Sequence, residues 1–178
     1  KFNKQVSKKY LVDRLPGMRK ILKEVRKGHL SESSIVEGLV LVLRLMQIEN
    51  ISFAESFPKY YYFVCRFCGG AACTCTRLKT KPSPKTREDL SLFAFPHNFT
   101  FSAFQASDWV VYPNDRSQIE KLGRALHIGE EVLEVSEILG LKSRNKKIME
   151  LCDLFERLVS LGSTFHFSLG ESIASFYN

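Results

Sequence analysis

The stretch "SSIVEGLVLVLRLMQI" (33–48) decides the fold class, because it is apolar on nearly every face of a helix drawn at 100° per residue. Its only charged residues are Glu37 and Arg44. A helix of this kind is stable where neighbouring elements cover it, so the stretch predicts a buried helix of a bundle. It is also shorter than the run of about 20 apolar residues that spans a membrane, and we expect no membrane partner.

Two later stretches have the periodicity of amphipathic helices and predict the rest of an all-α bundle. In "SQIEKLGRALHIGEEVLEVSEILG" (117–140) and "NKKIMELCDLFERLVSLG" (145–162), apolar residues recur on one stripe, and each stretch ends at a glycine, Gly140 or Gly162. The predicted stripes are Ile128, Val132, Val135 and Leu139 in the first stretch, and Ile148, Cys152, Phe155 and Val159 in the second. Only "WVVY" (109–112) has a pattern that a short strand could share.

The two halves of the chain resemble each other. The residue types of Ile35, Glu37 and Arg44 occur again 113 positions later, at Ile148, Glu150 and Arg157. In addition, "SFAESF" (52–57) resembles "SLGESI" (168–173). We interpret this as a degenerate tandem repeat, although two leucine-rich helices can also agree by chance. The predicted units are a first helical repeat (1–62), a cysteine loop (63–80), a linker (81–97) and a second repeat (98–178).

Four of the five cysteines lie within "VCRFCGGAACTCT" (64–76). The spacing C-x2-C-x4-C-x-C can place four thiolates around one tetrahedral ion, and we predict a closed, structural Zn²⁺ site. Its ligands are Cys65, Cys68, Cys73 and Cys75. Disulfides are the alternative, but Cys152 leaves an odd count and no signal peptide is recognisable, so we expect a reduced, cytoplasmic protein.

The charge is divided unevenly along the chain. Residues 1–90 carry 18 Lys and Arg against 8 Asp and Glu (18 − 8 = +10), whereas residues 91–178 carry 8 against 11 (8 − 11 = −3). The division favours an anionic ligand, such as a nucleotide or a nucleic acid, held against a metal bound by acids. Solvated helix faces would account for the same charges.

Acidic residues of the second half recur at helical spacing on two consecutive predicted helices. They are Glu130, Glu131 and Glu134, followed by Glu150 and Asp153. If these helices pack antiparallel, the five carboxylates converge, and Mg²⁺ would relieve their mutual repulsion. The alternative is an ordinary helix surface. Its solvated residues would be Glu130, Glu137 and Glu156, with Asp153 paired to Arg157.

The pattern Glu130-Glu131-x-x-Glu134, then 15 residues, then Glu150-x-x-Asp153, resembles the EExxE…ExxD signature of the MazG-like, all-α nucleoside triphosphate pyrophosphohydrolases. In addition, "FTFSAFQ" (99–105) resembles that family's opening helix, and "FPKYYYFVCRFCGGAACTC" (57–75) resembles the cysteine-containing tail of some members. The chain departs from the family pattern at Leu133, where a glycine is usual, and in lacking a downstream lysine.

The resemblance implies a MazG-like helical bundle that uses Mg²⁺ to hydrolyse a nucleoside triphosphate to the monophosphate and pyrophosphate. It implies that Glu131, Glu134, Glu150 and Asp153 hold Mg²⁺ and that Glu130 orients or deprotonates the attacking water. The first repeat, which lacks the acids, would act as a decayed copy in an intramolecular pseudo-dimer, as in the related dimeric dUTPases; a homodimer is the other expected assembly. Expected substrate-binding residues are Arg19, Lys20, Lys23, Trp109 and Asn178.

Two other functions fit the same residues. A non-catalytic module could bind nucleic acid through the cysteine loop and the basic residues around it, although no standard finger is recognisable. A decayed enzyme could persist as an assembly partner. Metal-dependent release of pyrophosphate would distinguish an active enzyme from both of these alternatives.

Overall fold

A computed structural model describes residues 13, 15–62, 64–65, 67–75, 90, 100–111 and 118–177 of the chain. Across these residues the regular structure is helical, and no strand forms, which confirms the all-α prediction. The seven α-helices are α1 (Arg19–Arg26), α2 (Glu32–Ile48), α3 (Phe53–Ser56), α4 (Phe101–Val111), α5 (Gln118–Ile138), α6 (Arg144–Thr164) and α7 (Leu169–Tyr177). Two 3₁₀ segments, Leu15–Met18 and Phe57–Lys59, precede α1 and follow α3.

Helix α2 is buried along most of its length, as its apolar sequence predicts. It packs against α6 and α7, and its side chains form much of the hydrophobic core. At Gly38, a Cβ atom would lie 3.2 Å from both Cδ atoms of Leu158 on α6, so the missing side chain lets the two helices approach closely. The charged Glu37 stays exposed and pairs with Lys20 at 3.2 Å. In the described part of the chain, no helix has the length and apolar character needed to cross a membrane.

Helices α5 and α6 form the hairpin that carries the acidic residues. The two 21-residue helices are joined by a short turn and pack along each other; this connection makes them antiparallel. The predicted stripe of α5 is buried. On α6, Cys152, Phe155 and Val159 are also buried, while Ile148 is partly exposed at the edge of the core.

One local prediction is wrong. Helix α6 does not stop at Gly162 but continues to Thr164. Gly162 instead lets α7 approach closely, since a Cβ there would lie 2.7 Å from Leu169 Cδ1. The segment "WVVY" is not extended, since its first three residues complete α4. Tyr112 lies outside the described residues.

Helices that correspond in the predicted internal repeat pack on each other or on each other's neighbours. Helix α2 packs on α6, its counterpart; α7 packs on α2, and α3 packs on α6. These contacts do not test the repeat, so the repeat and its unit boundaries remain predictions. The proposed linker (81–97) lies outside the described residues except for the buried Leu90.

Candidate metal centre and adjoining cavity

Three acidic side chains meet where α5 faces α6. Carboxylate oxygens of Glu131, Glu150 and Asp153 all lie within 4.8 Å of one another. Glu150 and Asp153 share a side of α6 because they are three residues apart, and the antiparallel packing brings Glu131 of α5 to that side. All three side chains are partly buried, so water screens the repulsion between their charges less than it would on an exposed surface.

Burial and mutual repulsion make this cluster costly to ionise. The pKa of Glu131 is raised to about 7, first by burial and then by the charges of Asp153 and Glu134, while the Arg157 guanidinium opposes the shift. Burial likewise raises the pKa of Glu150, and Asp153 and Glu134 add to the effect. In addition, the buried Oε2 of Glu131 has no hydrogen-bond partner among the described residues. A divalent cation would satisfy that oxygen and neutralise the repulsion.

Tyr61 and Arg157 both contact the cluster. The Tyr61 hydroxyl donates a hydrogen bond to Asp153 Oδ1. Burial, followed by the charge of Asp153, raises the pKa of Tyr61, which keeps the hydroxyl protonated as a donor. Arg157 Nε lies 3.5 Å from Glu131 Oε1, and its Nη1 lies 3.4 Å from Glu156 Oε2.

The other two signature acids are placed differently. Glu134 is exposed at the rim of the cluster, where it hydrogen-bonds Glu150. Glu130 is exposed and its Oε2 lies 2.8 Å from His127 Nδ1, so its carboxylate is engaged outside the three-acid cluster. The ordinary-surface alternative does not hold at Glu156, which is only 6% exposed.

Three of the expected substrate-binding residues lie on α1. Arg19 and Lys23 are exposed there, and Lys20 pairs with Glu37. The charge of Arg157 lowers the pKa of Glu131, and that of Lys146 lowers the pKa of Glu150. The side chain of Trp109 and the whole of Asn178 lie outside the described residues.

The cysteine loop forms a second candidate metal site. All four sulfur atoms of the predicted set lie within 4.8 Å of one another, and none is in a disulfide. Cys65 Sγ lies 3.4 Å from Cys73 Sγ and 3.8 Å from Cys75 Sγ. Four thiolates at about 2.3 Å from a tetrahedral Zn²⁺ would have their sulfur atoms about 3.8 Å apart, so the cluster can accept such an ion with little movement.

The backbone of the loop is arranged around the sulfur atoms. Gly69 adopts a positive φ of 72°, as its place in a tight turn requires. Backbone hydrogen bonds from Thr74 and Gly70 lower the pKa of Cys68 to about 6, whereas burial raises the pKa of Cys75 to about 12. The amide of Cys73 donates to the Val111 carbonyl at 2.7 Å, which ties the loop to the end of α4.

A cavity of about 500 Å³ lies between the cysteine loop and helices α4, α5 and α6. Asp153 and Arg157 line it, so the cavity adjoins the acidic cluster. Its polar lining includes the buried Asp108, Glu156 and Ser160. Its aromatic lining is Tyr60, Tyr61, Tyr62, Phe67 and Phe104.

Sequence reasoning missed Tyr61, Asp108 and Glu156. For the last two, a signal was present: Asp108 is spaced with Phe104 and Val111 on the buried face of α4, and Glu156 follows Cys152 by four residues on the buried face of α6. An acid within an apolar stripe indicates a buried carboxylate that needs a partner. Tyr61 carried no comparable signal.

The chain matches no protein-family model, no curated protein and no solved structure. The functional features of the described residues are a three-acid cluster that could hold a divalent cation and an adjoining cavity large enough for a small molecule.

Proposed function

We propose that the protein is a Mg²⁺-dependent nucleoside triphosphate pyrophosphohydrolase of MazG-like type, which cleaves between the α- and β-phosphates. The observation that carries the proposal is the convergence of Glu131, Glu150 and Asp153 within 4.8 Å beside a cavity. Mg²⁺ takes oxygen ligands, keeps several waters and typically bridges carboxylates to substrate phosphates. The resemblance of the acidic spacing to the family signature supports the same chemistry.

The three converging carboxylates would hold the ion, with Glu134 at their rim. Bound there, Mg²⁺ would stabilise the charge that develops on the phosphates. Glu131 would give up its proton when the cation binds, because its pKa of about 7 reflects burial and neighbouring acids that the cation offsets. Tyr61 would keep Asp153 in orientation through its hydrogen bond.

We assign the orientation of the attacking water to Glu134 rather than to Glu130. Glu134 is exposed and in contact with Glu150 of the cluster, whereas Glu130 pairs with His127. A base must lie within hydrogen-bond reach of its water, and the rim of the cluster is where solvent meets the bound phosphates. Arg157, adjoining both the cluster and the cavity, would contact the substrate's anionic groups.

The cysteine loop would hold one structural Zn²⁺ through its four thiolates, which would leave no open position for catalysis. Its role would be to fix the loop that forms one wall of the cavity. Because the thiols must be reduced to bind zinc, we propose that the protein works in the cytoplasm.

The direct test is pyrophosphate release from the common nucleoside triphosphates, with and without Mg²⁺. The variant Glu150→Gln removes one carboxylate charge from the cluster. Glu37→Gln is its matched control, because Glu37 is the predicted repeat counterpart of Glu150 and lies exposed on α2. We expect Mg²⁺-dependent release that Glu150→Gln abolishes and Glu37→Gln preserves. Release unaffected by Glu150→Gln would contradict the proposed site. No release, together with salt-dependent binding of DNA or RNA, would favour the nucleic-acid module instead.

A further inference from the structure

The lining of the cavity includes a buried carboxyl group with one oxygen that no described residue hydrogen-bonds. Asp108 is 4% exposed and lines the cavity, and its Oδ2 has no hydrogen-bond partner among the described residues. A buried polar atom without a partner costs free energy, and it is rare in native proteins unless a ligand or a water completes it. The oxygen therefore points to a ligand with a hydrogen-bond donor.

The rest of the Asp108 carboxyl group is already held by protein contacts. Glu156 and Ser160 both hydrogen-bond to it, and Arg124 donates to Ser160 Oγ. Burial raises the pKa of both carboxyl groups, that of Glu156 to about 8, while their mutual hydrogen bond raises the pKa of Glu156 and lowers that of Asp108, so the shared proton favours Glu156. Asp108 is thus fixed in place on one side and presents a bare acceptor on the other.

The cavity walls suit a flat ring. Tyr60, Tyr62 and Phe104 are among its lining residues, and its volume of about 500 Å³ is that of a small-molecule site. Aromatic side chains stack on any nucleobase without distinguishing one from another. Discrimination between bases must therefore come from the polar residues of the lining, among which Asp108 Oδ2 is an acceptor without a partner.

We propose that this cavity binds the base of a nucleotide and that Asp108 Oδ2 accepts a hydrogen bond from the exocyclic amino group of that base. Adenine, cytosine and guanine carry such a group. Uracil and thymine present a carbonyl oxygen at the corresponding position. Because this oxygen and the carboxylate oxygen are both hydrogen-bond acceptors, they would repel each other. The assignment of the ligand as a nucleotide rests on the proposed function, and Asp153 links the two sites because it belongs to both the cavity and the acidic cluster.

The test uses the entire 178-residue chain and free nucleosides, without Mg²⁺, so that it does not depend on the acidic cluster. Binding of cytidine, adenosine, guanosine, uridine and thymidine is measured by ligand-observed NMR titration. We expect at least one amino-bearing nucleoside to bind at least about tenfold more tightly than uridine and thymidine, since the carbonyl oxygen that uracil and thymine present in place of the amino group would leave the buried acceptor unpaired. Equal affinity for all five, or binding of none, would overturn the proposal on the wild-type protein alone.

The matched variant is Asp108→Asn. Because Glu156 donates to the other oxygen, the new amide would turn its NH₂ group toward the ligand, and we expect the preference to disappear or to shift toward uridine. Glu37→Gln, on the exposed face of α2, should leave the preference unchanged. A preference that survives Asp108→Asn would contradict the role of Oδ2.

The outcomes separate this inference from the proposed function. If triphosphates are hydrolysed with Mg²⁺ but the nucleosides bind without preference, the inference fails and the hydrolase remains. If amino-bearing nucleosides bind through Asp108 but no triphosphate releases pyrophosphate, the hydrolase fails and the cavity remains a base-binding site.

Discussion

At the scale of single residues, Asp153 connects every part of the candidate site. It belongs to the acidic cluster, accepts the Tyr61 hydrogen bond and lines the cavity. Asp153→Asn preserves the shape and an acceptor oxygen for Tyr61 while removing one charge. We expect hydrolysis to fall by about two orders of magnitude, roughly 3 kcal/mol of transition-state stabilisation. We also expect the melting temperature without Mg²⁺ to stay level or rise, because like-charge repulsion is relieved, and the increase produced by Mg²⁺ to shrink.

The measurement is the melting temperature of wild type and variant with and without Mg²⁺. If Asp153 were only part of a surface ion pair, its loss would cost at most about 1 kcal/mol and would not depend on the metal. Identical Mg²⁺ responses in the two proteins would therefore remove the main support for a cation site. Glu37→Gln, which alters an exposed ion pair, controls for a general effect of removing an acid.

The raised pKa values of Glu131 and Glu156 predict an unusual pH dependence of stability. They lie at about 7 and about 8 in the folded protein, above the value of about 4.3 for an unperturbed Glu in an unfolded chain. Between these limits the folded state binds more protons than the unfolded state, so the free energy of unfolding falls as the pH rises. The stability that these two protonated groups contribute is present at low pH and is lost between about pH 5 and pH 8.

We expect the melting temperature in Mg²⁺-free buffer to decrease from pH 5.5 to pH 8, with less decrease in Glu131→Gln, where no proton is lost. Added Mg²⁺ should flatten the wild-type curve by favouring the ionised acids. The zinc content is measured at each pH so that loss of the second metal is not mistaken for the effect. A wild-type melting temperature that rises over this range would contradict the prediction.

At the scale of elements, the cysteine loop should depend on its metal for order. Binding of a structural Zn²⁺ contributes directly to local folding, so Cys65→Ser or Cys73→Ser should release one zinc ion per chain and increase hydrogen exchange across residues 60–75. Cys152→Ala is the matched control, because Cys152 is buried in the helical core rather than in the four-sulfur cluster. Reduced protein that contains no zinc, or two disulfides found by mass spectrometry, would count against the site.

At the scale of the whole molecule, the first half should be needed to cover the second. Helix α2 packs on both α6 and α7, and α1 packs on α5, so removal of residues 1–97 would expose a continuous apolar face. A large contiguous apolar surface that is exposed to solvent favours association between molecules. We expect the fragment 98–178 to aggregate or self-associate, as measured by light scattering during size-exclusion chromatography. A monomeric fragment with full activity would show that the first half is dispensable.

The helices, the cysteine cluster and one pair of the acidic cluster follow from local sequence. The apolar stretch 33–48 predicts a buried helix because nearly every face is apolar, and the cysteine spacing predicts a shared ion because the chain between the thiols is short. The pair Glu150 and Asp153 is likewise local, since residues three apart share a side of any α-helix. These features depend on backbone geometry within a few residues.

Tertiary packing decided which of the acids meet. Glu130 and Glu131 are neighbours in sequence but lie about 100° apart around α5, and the rotation of α5 against α6 brings Glu131, not Glu130, to the cluster. The Tyr61 bond to Asp153 spans 92 residues, and the contact of Asp108 with Glu156 joins two different helices. No local pattern encodes such contacts, because they depend on how the helices dock, and docking is determined by the fit of the whole hydrophobic core.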